Sequence, residues 1–465
     1  MSRFCAGALR WPAVLLLSWW LAACAVQPPD EGAARIDEYL AARDLPSPQG
    51  EPLTVAGELG RDQAVRLALT RHPAVAVEYQ QLDIAAADVM AAGQLDNPRL
   101  SLSLMYPHGG GDHDTGIGIA QGFAGLLLRP ARIRMAEDQY QQAALRISSA
   151  VQQLAVDAEE AWYALVTAEQ ALLVQEQVTR AAQLRAELAA RFAGAGNLPA
   201  MELAALQRDA AEAQLALLRQ RQARDSAKAV LGELIDAPPD AQWSVPAALP
   251  LPSHHEPSAA ALTDMALSRR LDLQALQLDS TLFDDNLTLA RRYRWLGELE
   301  LGVEHEREGD GTRKTGPSLS FSLPLFHRNQ AGVRRAEAQQ REAQARERQL
   351  DQEIRHRVRA LHASLLLSRQ AFAVQRDILL PALTAVVEQR QKRVNYMLDG
   401  VFELLADKQA ELVARREQVS TLGDYWQVRT ALSRTVGSGL PLMSMGVLDT
   451  DGTAPPMDHG HGAHH

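Results

Sequence analysis

The chain states one structural plan twice. Residues near 97–231 and near 296–432 each run through a pair of short alternating strands, a very long helical stretch, a tight break and a further helix. Asn97-Pro98-Arg99-Leu100-Ser101-Leu102 corresponds to Leu296-Gly297-Glu298-Leu299-Glu300-Leu301, Ala136-Glu137 to Ala336-Glu337, and Met201-Glu202-Leu203 to Phe402-Glu403-Leu404. An offset held at roughly 200 residues means duplication of a whole structural unit and excludes a short solenoid period.

Each copy carries a helix too long for a globule. No proline or glycine lies between Pro130 and Gly194, so 131–193 is free to run as one helix, about 95 Å at about 1.5 Å per residue. Leu154, Ala158, Ala161, Leu165, Ala168 and Leu172 alternate steps of four and three, the seam of helices packed side by side. Residues 333–380 repeat the design with Leu350, Ile354, Val358, Leu361, Leu365, Ser368 and Phe372. Gly194-Ala195-Gly196-Asn197-Leu198-Pro199 breaks the first helix and the segment from Asn395 to Gly400 the second. A further helix of roughly 20 to 30 residues follows each break, making two antiparallel hairpins per chain.

The strands separate a membrane channel from a soluble coiled-coil spacer. Leu100–Leu104, Glu298–Glu304 and Ser318–Leu323 alternate apolar with small or acidic residues, and Ile117–Ala120 does so more weakly. One apolar and one polar face per strand suits a barrel wall with lipid outside and water inside, which makes Glu298, Glu300 and Glu304 candidates for the lumen. Four strands cannot close a barrel, since the smallest use about 8, and an open edge is not tolerated in lipid. A cyclic trimer supplies 12 strands. The expected fold class is therefore an α+β membrane protein, internally duplicated, with two long helical hairpins and four strands given to a shared 12-stranded trimeric barrel.

The N-terminus reads as an address. Arg3 and Arg10 precede an apolar run from Trp11 to Trp20, and Leu21-Ala22-Ala23-Cys24 follows. This resembles the bacterial lipobox, so 1–23 is expected to be a signal peptide and Cys24 the lipidated first residue; Ala25 in place of an aspartate implies sorting to the outer membrane. Cys5 leaves with the signal, and one cysteine makes no internal disulfide. A formal charge of −10 disfavours nucleic acid. The expected organisation is 24–58 as a lipid-anchored extended segment, 59–236 and 262–437 as the repeats, 237–261 as a proline-rich linker and 438–465 as a Met- and His-rich tail.

Leu319-Ser320-Phe321-Ser322-Leu323-Pro324-Leu325-Phe326, the paired breaks near 194 and 396, and the two-fold recurrence resemble the TolC-like outer-membrane efflux protein family from about Leu59 to Gly437. In the first half Gln121-Gly122-Phe123-Ala124-Gly125 stands where Pro-Leu-Phe is expected. The resemblance implies a homotrimeric outer-membrane duct with a periplasmic helical tunnel, served by an adaptor and an inner-membrane pump, and no catalysis. Tyr396–Leu405 is similar to the family's aperture motif, which makes Glu403 an aperture candidate, with Asp399 and Asp407 beside it and Glu202 as the repeat counterpart. Ala406 departs from the paired acids of that motif.

No protein cofactor is expected beyond the lipid on Cys24. The tail residues His459, His461, His464 and His465 are candidates for transient metal binding, with Met443, Met445 and Met457 upstream, and His108 and His113 lie with Asp112 and Asp114 in a glycine-rich loop. Gly400-Val401-Phe402-Glu403-Leu404-Leu405 resembles the heavy-metal branch, so export of copper, zinc or cobalt is expected ahead of drug or other small-molecule efflux. A periplasmic adaptor lipoprotein is the other alternative, though adaptors carry one hairpin where two are written here. No nucleophile elbow, phosphate loop or His-Glu-x-x-His occurs.

Overall fold

Alternating strands and uninterrupted helical runs set the element order. The computed structural model describes residues 32–50, 54–106, 108, 112–253, 255–295, 299–323, 325–326 and 328–440. Cys24, Glu298 and His459, His461, His464 and His465 lie outside these residues. The order is α1 (Gly32–Ala41), β1 (Gly57–Glu58), α2 (Arg61–Arg71), α3 (Pro73–Gly93), β2 (Arg99–Met105), β3 (Asp114–Gly122), α4 (Phe123–Gly194) and α5 (Ala200–Leu234). There follow β4 (Trp243–Ser244), α6 (Ala259–Arg269), α7 (Leu271–Arg292), β5 (Leu299–Arg307), β6 (Arg313–Phe321), α8 (Gln330–Val374), a π-helical turn (Gln375–Leu379), α9 (Leu380–Asn395) and α10 (Val401–Val436). Two compact units form, and they cut across the repeats. One comprises the described part of Met1–Ile36 with Val77–Ser148 and Leu271–Leu350; the other comprises Asp37–Ala76, Ser149–Arg270 and the described part of Asp351–His465.

In the first unit the four long strands make one antiparallel sheet, ordered β2-β3-β5-β6. Register follows the alternation, because a slip by one residue exchanges the faces. Leu100 pairs with Ile119, which pairs with Val303; Leu102 pairs with Ile117, and Leu301 with Leu319. These residues with Leu104 and Phe321 form a continuous apolar face, each 48% to 73% exposed, so no second layer of described residues covers it. The other face holds Ser101, Ser103, Gly116, Gly118, Glu300, Glu304, Glu306, Lys314, Ser318 and Ser320. Its glycines let strands and side chains approach closely: a Cβ on Gly302 would lie 2.7 Å from the Ile119 carbonyl oxygen. Pro317, which cannot donate to a ladder, sits on the edge strand β6.

The helix after the first strand pair starts at Phe123, ahead of the expected 131, and carries Pro130 inside it. A proline there leaves a carbonyl in the preceding turn without its usual donor. Arginines tie the start of this helix down on either side of the proline: the Arg132 Nη2 group donates to the Gly125 oxygen at 2.8 Å, and Arg129 Nε to the oxygen of Gly93, the last residue of α3, at 2.7 Å. A second difference falls at Pro381. The helical path does not end near 380, because the π turn widens first and the Leu380 N–H donates to the Gln375 oxygen. The helices after the breaks are also longer than expected, 35 and 36 residues.

In the second unit the seam residues Ala158, Ala161, Leu165, Ala168 and Leu172 are buried. Burial extends beyond that stripe to Val151, Trp162, Tyr163 and Val166, since α10 packs over this part of α4. Tyr163 and Trp426 stack with centroids 4.6 Å apart, and a Cβ on Gly423 would meet the Thr167 methyl at 2.5 Å, so glycine sets this crossing distance. The proline-rich segment is ordered against α10. Trp243 pairs in parallel with Gly57, Trp426 Nε1 donates to the Pro250 oxygen at 2.8 Å, and Glu256 meets Arg429 at 3.2 Å with both side chains almost fully buried.

Candidate functional site

The two breaks fold into the same backbone turn, 201 positions apart. In the first, Asn197 N–H donates to the Phe192 oxygen and Gly196 N–H to the Ala193 oxygen; in the second, Leu398 N–H donates to the Arg393 oxygen and Met397 N–H to the Val394 oxygen. This pairing of bonds closes a helix with one left-handed residue. Gly196 takes that position at φ +78° without cost, whereas Met397 takes it at φ +57°, where a side chain costs about 1–2 kcal/mol. Phe192 meets Phe402 edge to face at 5.4 Å, so the turns lie side by side.

Charge distinguishes the two turns. In the second, Arg390 Nε binds Asp407 at 2.8 Å, Arg390 Nη1 binds Asp399 at 3.0 Å, and Arg393 grips Asp399 with Nε and Nη2 at 2.7 and 2.8 Å. Glu403 stands 3.6 Å from Arg390 and its side chain is 60% exposed. The aperture candidates Asp399 and Asp407 are thus paired with two arginines, Arg390 and Arg393, that the acidic motif does not include. Both lie on the last turns of the helix before the break, a placement that favours cations at a helix C-terminus and was legible as such. Glu202 is exposed in the first turn, with no ion pair among the described residues. The exposed side chains of Tyr396, Met397 and Leu398 crown the second turn.

The bond from Arg393, reinforced by Arg390, depresses the Asp399 carboxyl to about 2 from an ordinary 3.8. A depressed carboxyl contributes its full hold above its unfolded value and loses it as pH falls through the folded one. Hydrogen exchange at the Tyr396–Gly400 amides, corrected for intrinsic rate, is therefore expected to stay constant from pH 7 to about 4 and to accelerate between about 3.8 and 2. Acceleration beginning near pH 5 would refute the pairing.

On the polar face of the sheet Glu304 and Glu306 are exposed, while Glu300 is engaged by Arg99 at 2.8 Å. Glu300 thus stays on the polar face with part of its charge offset by Arg99. His113 and Asp112 pair at 3.2 Å, and Asp114 accepts from the Gly309 N–H at 2.7 Å, tying the two hairpin loops together. No group of three His, Cys, Asp or Glu able to hold a metal ion occurs among the described residues, so His108, His113, Asp112 and Asp114 do not form such a set. Among those residues, too, no helix is long and apolar enough to cross a membrane.

Residues 262–438, the second repeat, match the sequence profile described as Outer membrane efflux protein. The chain is TolC-like. Its second repeat is similar in sequence to the outer membrane efflux proteins, and the sheet with its two helical hairpins carries the fold through both repeats. Similar solved structures include the outer membrane protein VceC of Vibrio cholerae, with TM-score 0.66 and 15% identity over 82% of this chain and 96% of that one. The CmeC outer membrane channel of Campylobacter jejuni gives 0.65 and 16%, over 84% and 87%. CusC, whose structures concern folding and transmembrane channel formation, gives 0.65 and 14%, over 83% and 94%. At these identities the likeness is one of fold. No curated protein matches the sequence.

Proposed function

We propose that this TolC-like chain is the outer-membrane exit duct of a tripartite efflux system. The observation that carries the reading is the four-stranded sheet, whose apolar face is uncovered and whose edges β2 and β6 have no further strand among the described residues. In lipid such a sheet must close, and three copies give 12 strands, within the range of membrane barrels. The lipobox at Cys24 would anchor the chain in the same membrane, and the exposed Tyr396, Met397 and Leu398 offer a periplasmic adaptor an apolar contact at the helix turns. Export is passive through the duct, driven by an inner-membrane pump.

Heavy-metal cations such as copper, zinc or cobalt are the proposed cargo, supported by the acidic Glu304 and Glu306 and by the histidine-rich tail sequence. Small-molecule or drug export is the second reading. It is favoured by the arginines that neutralise Asp399, Asp407 and Glu300, which remove part of any cation-selective field.

Full-length protein reconstituted in planar bilayers is expected to form trimers with discrete conductance. A monomer that leaves bilayers silent would defeat the channel reading. Deleting the protein is expected to lower tolerance to copper, zinc or cobalt several-fold; unchanged metal tolerance with lowered drug tolerance would transfer the assignment to the second reading.

A further inference from the structure

Strand β5 sorts its charges by face. Glu300, Glu304 and Glu306 share the polar face, whereas Leu299, Leu301, Val303, His305 and Arg307 share the apolar one. The partner strand does likewise, and Arg307 lies directly opposite Arg313 on the apolar side. Like charges facing each other across two strands are destabilising unless something of opposite sign joins them. Neither arginine has an ion pair among the described residues, and both are exposed. Lys314, one residue along but on the other face, is paired with Glu308. Among the described residues, then, Arg307 and Arg313 have no counter-charge, and both are open to one from outside.

Its surroundings narrow what it can be. The same cross-strand row continues through Thr115 to Leu104, and the next row inward holds Ile117, His305 and Thr315, with His305 Nδ1 and Thr315 Oγ1 2.7 Å apart. Beyond it lie Val303, Ile119 and Leu100, all exposed. A ligand here meets two guanidinium groups, then hydroxyl and imidazole, then hydrocarbon. Free inorganic anions use only the first of these; a lipid with an anionic headgroup uses all three. The row lies at the hairpin-loop end of the sheet, away from the ends where α4 and α8 begin. At the helix end, the half-exposed Trp295 has the guanidinium groups of Arg294 and Arg328 over its ring, at 5.2 and 5.0 Å, a composition that suits an interfacial anchor. From Arg307 to Leu299 the strand advances about 26 Å, or about 20 Å vertically at a tilt near 40°, close to the height of an outer-membrane apolar band.

We propose that Arg307 and Arg313 form a binding site for the phosphate of an outer-leaflet phosphorylated glycolipid, whose acyl chains lie along Val303, Ile119 and Leu100. Arginine forks suit phosphate oxygens bidentately. The inference rests on reading the sheet as a membrane wall.

The test uses the full-length trimer in detergent, with native mass spectrometry against bis-phosphorylated lipid A, its dephosphorylated form and inorganic phosphate. Wild type is expected to retain the phosphorylated lipid, and Arg307→Gln with Arg313→Gln to weaken binding about tenfold or more. Arg307→Lys with Arg313→Lys, which keeps the charge but not the forks, should fall between wild type and the glutamine variant, and the dephosphorylated lipid should bind wild type no better than lipid A binds the glutamine variant. Equal lipid A binding by wild type and the glutamine variant, or displacement of the lipid by millimolar inorganic phosphate, would overturn the site. Planar-bilayer conductance separates the two levels: wild-type channels with arginine-independent lipid binding defeat this site alone, whereas no wild-type channels defeats the membrane-wall reading beneath it.

Discussion

Glu256→Ala is expected to destabilise the second unit by about 3–5 kcal/mol, because it strands the Arg429 guanidinium in a buried setting. Glu256 accepts from the Tyr425 hydroxyl at 2.6 Å and faces Arg429 at 3.2 Å, with side chains 1% and 3% exposed. The Tyr425 hydroxyl in turn accepts from the Ser253 N–H at 3.0 Å, so the carboxylate fastens the proline-rich segment to α10. Burial first, and the bond to the Glu256 carboxylate second, push the Tyr425 phenol above its ordinary range, so it remains a donor at any physiological pH. Replacing both ion-pair partners tells a different story. Glu256→Leu with Arg429→Met removes both charges and should recover most of the loss, since a buried pair exchanged for apolar groups is often neutral or better. Denaturant unfolding followed by circular dichroism checks the pair of results. A single alanine variant as stable as wild type would mean water reaches Arg429 and the packing is looser than described.

Arg390→Ala is expected to have the largest effect on conductance. It removes the cation bound to Asp407 and nearest to Glu403, leaving those two carboxylates without it while Asp399 stays held by Arg393. If the turns frame the aperture, mutual repulsion opens it and its lumen becomes more negative, raising cation current about three- to tenfold in planar bilayers. Arg390→Lys keeps a charge but not the fork that reaches two carboxylates at once, and should fall between. Glu403→Ala should change current little, because its side chain is 60% exposed and its contact with Arg390 is long. Wild-type current and selectivity in Arg390→Ala would remove the second turn from consideration as a gate.

The two turns show how far a repeat carries and where it stops. Their backbones agree bond for bond, so duplication conserved the geometry that reverses the chain. One left-handed position holds Gly196 and the other Met397, and only the second turn carries the Arg390–Asp399–Asp407 network. A motif read for its acids points to Glu403, the most exposed of these acids. The arginines that decide the local field lie six and nine residues before Asp399 and meet it only because the turn folds back.

From the sequence alone came the duplication, the long helices, the position of both breaks, the four strands and the polarity of their faces. These are local properties: periodicity of two or 3.6, and the presence or absence of glycine and proline, act within a few residues. Tertiary structure decided what depends on partners distant in the chain. It carried helices through Pro130 and past Pro381, the second by way of a π turn. It ordered the linker around the Glu256–Arg429 pair, 173 positions apart. It also paired Glu300 with Arg99 while leaving Arg307 facing Arg313 across two strands. A charge's role depends on which opposite charge comes within a few ångströms, and that is set by register and packing rather than by neighbours in sequence.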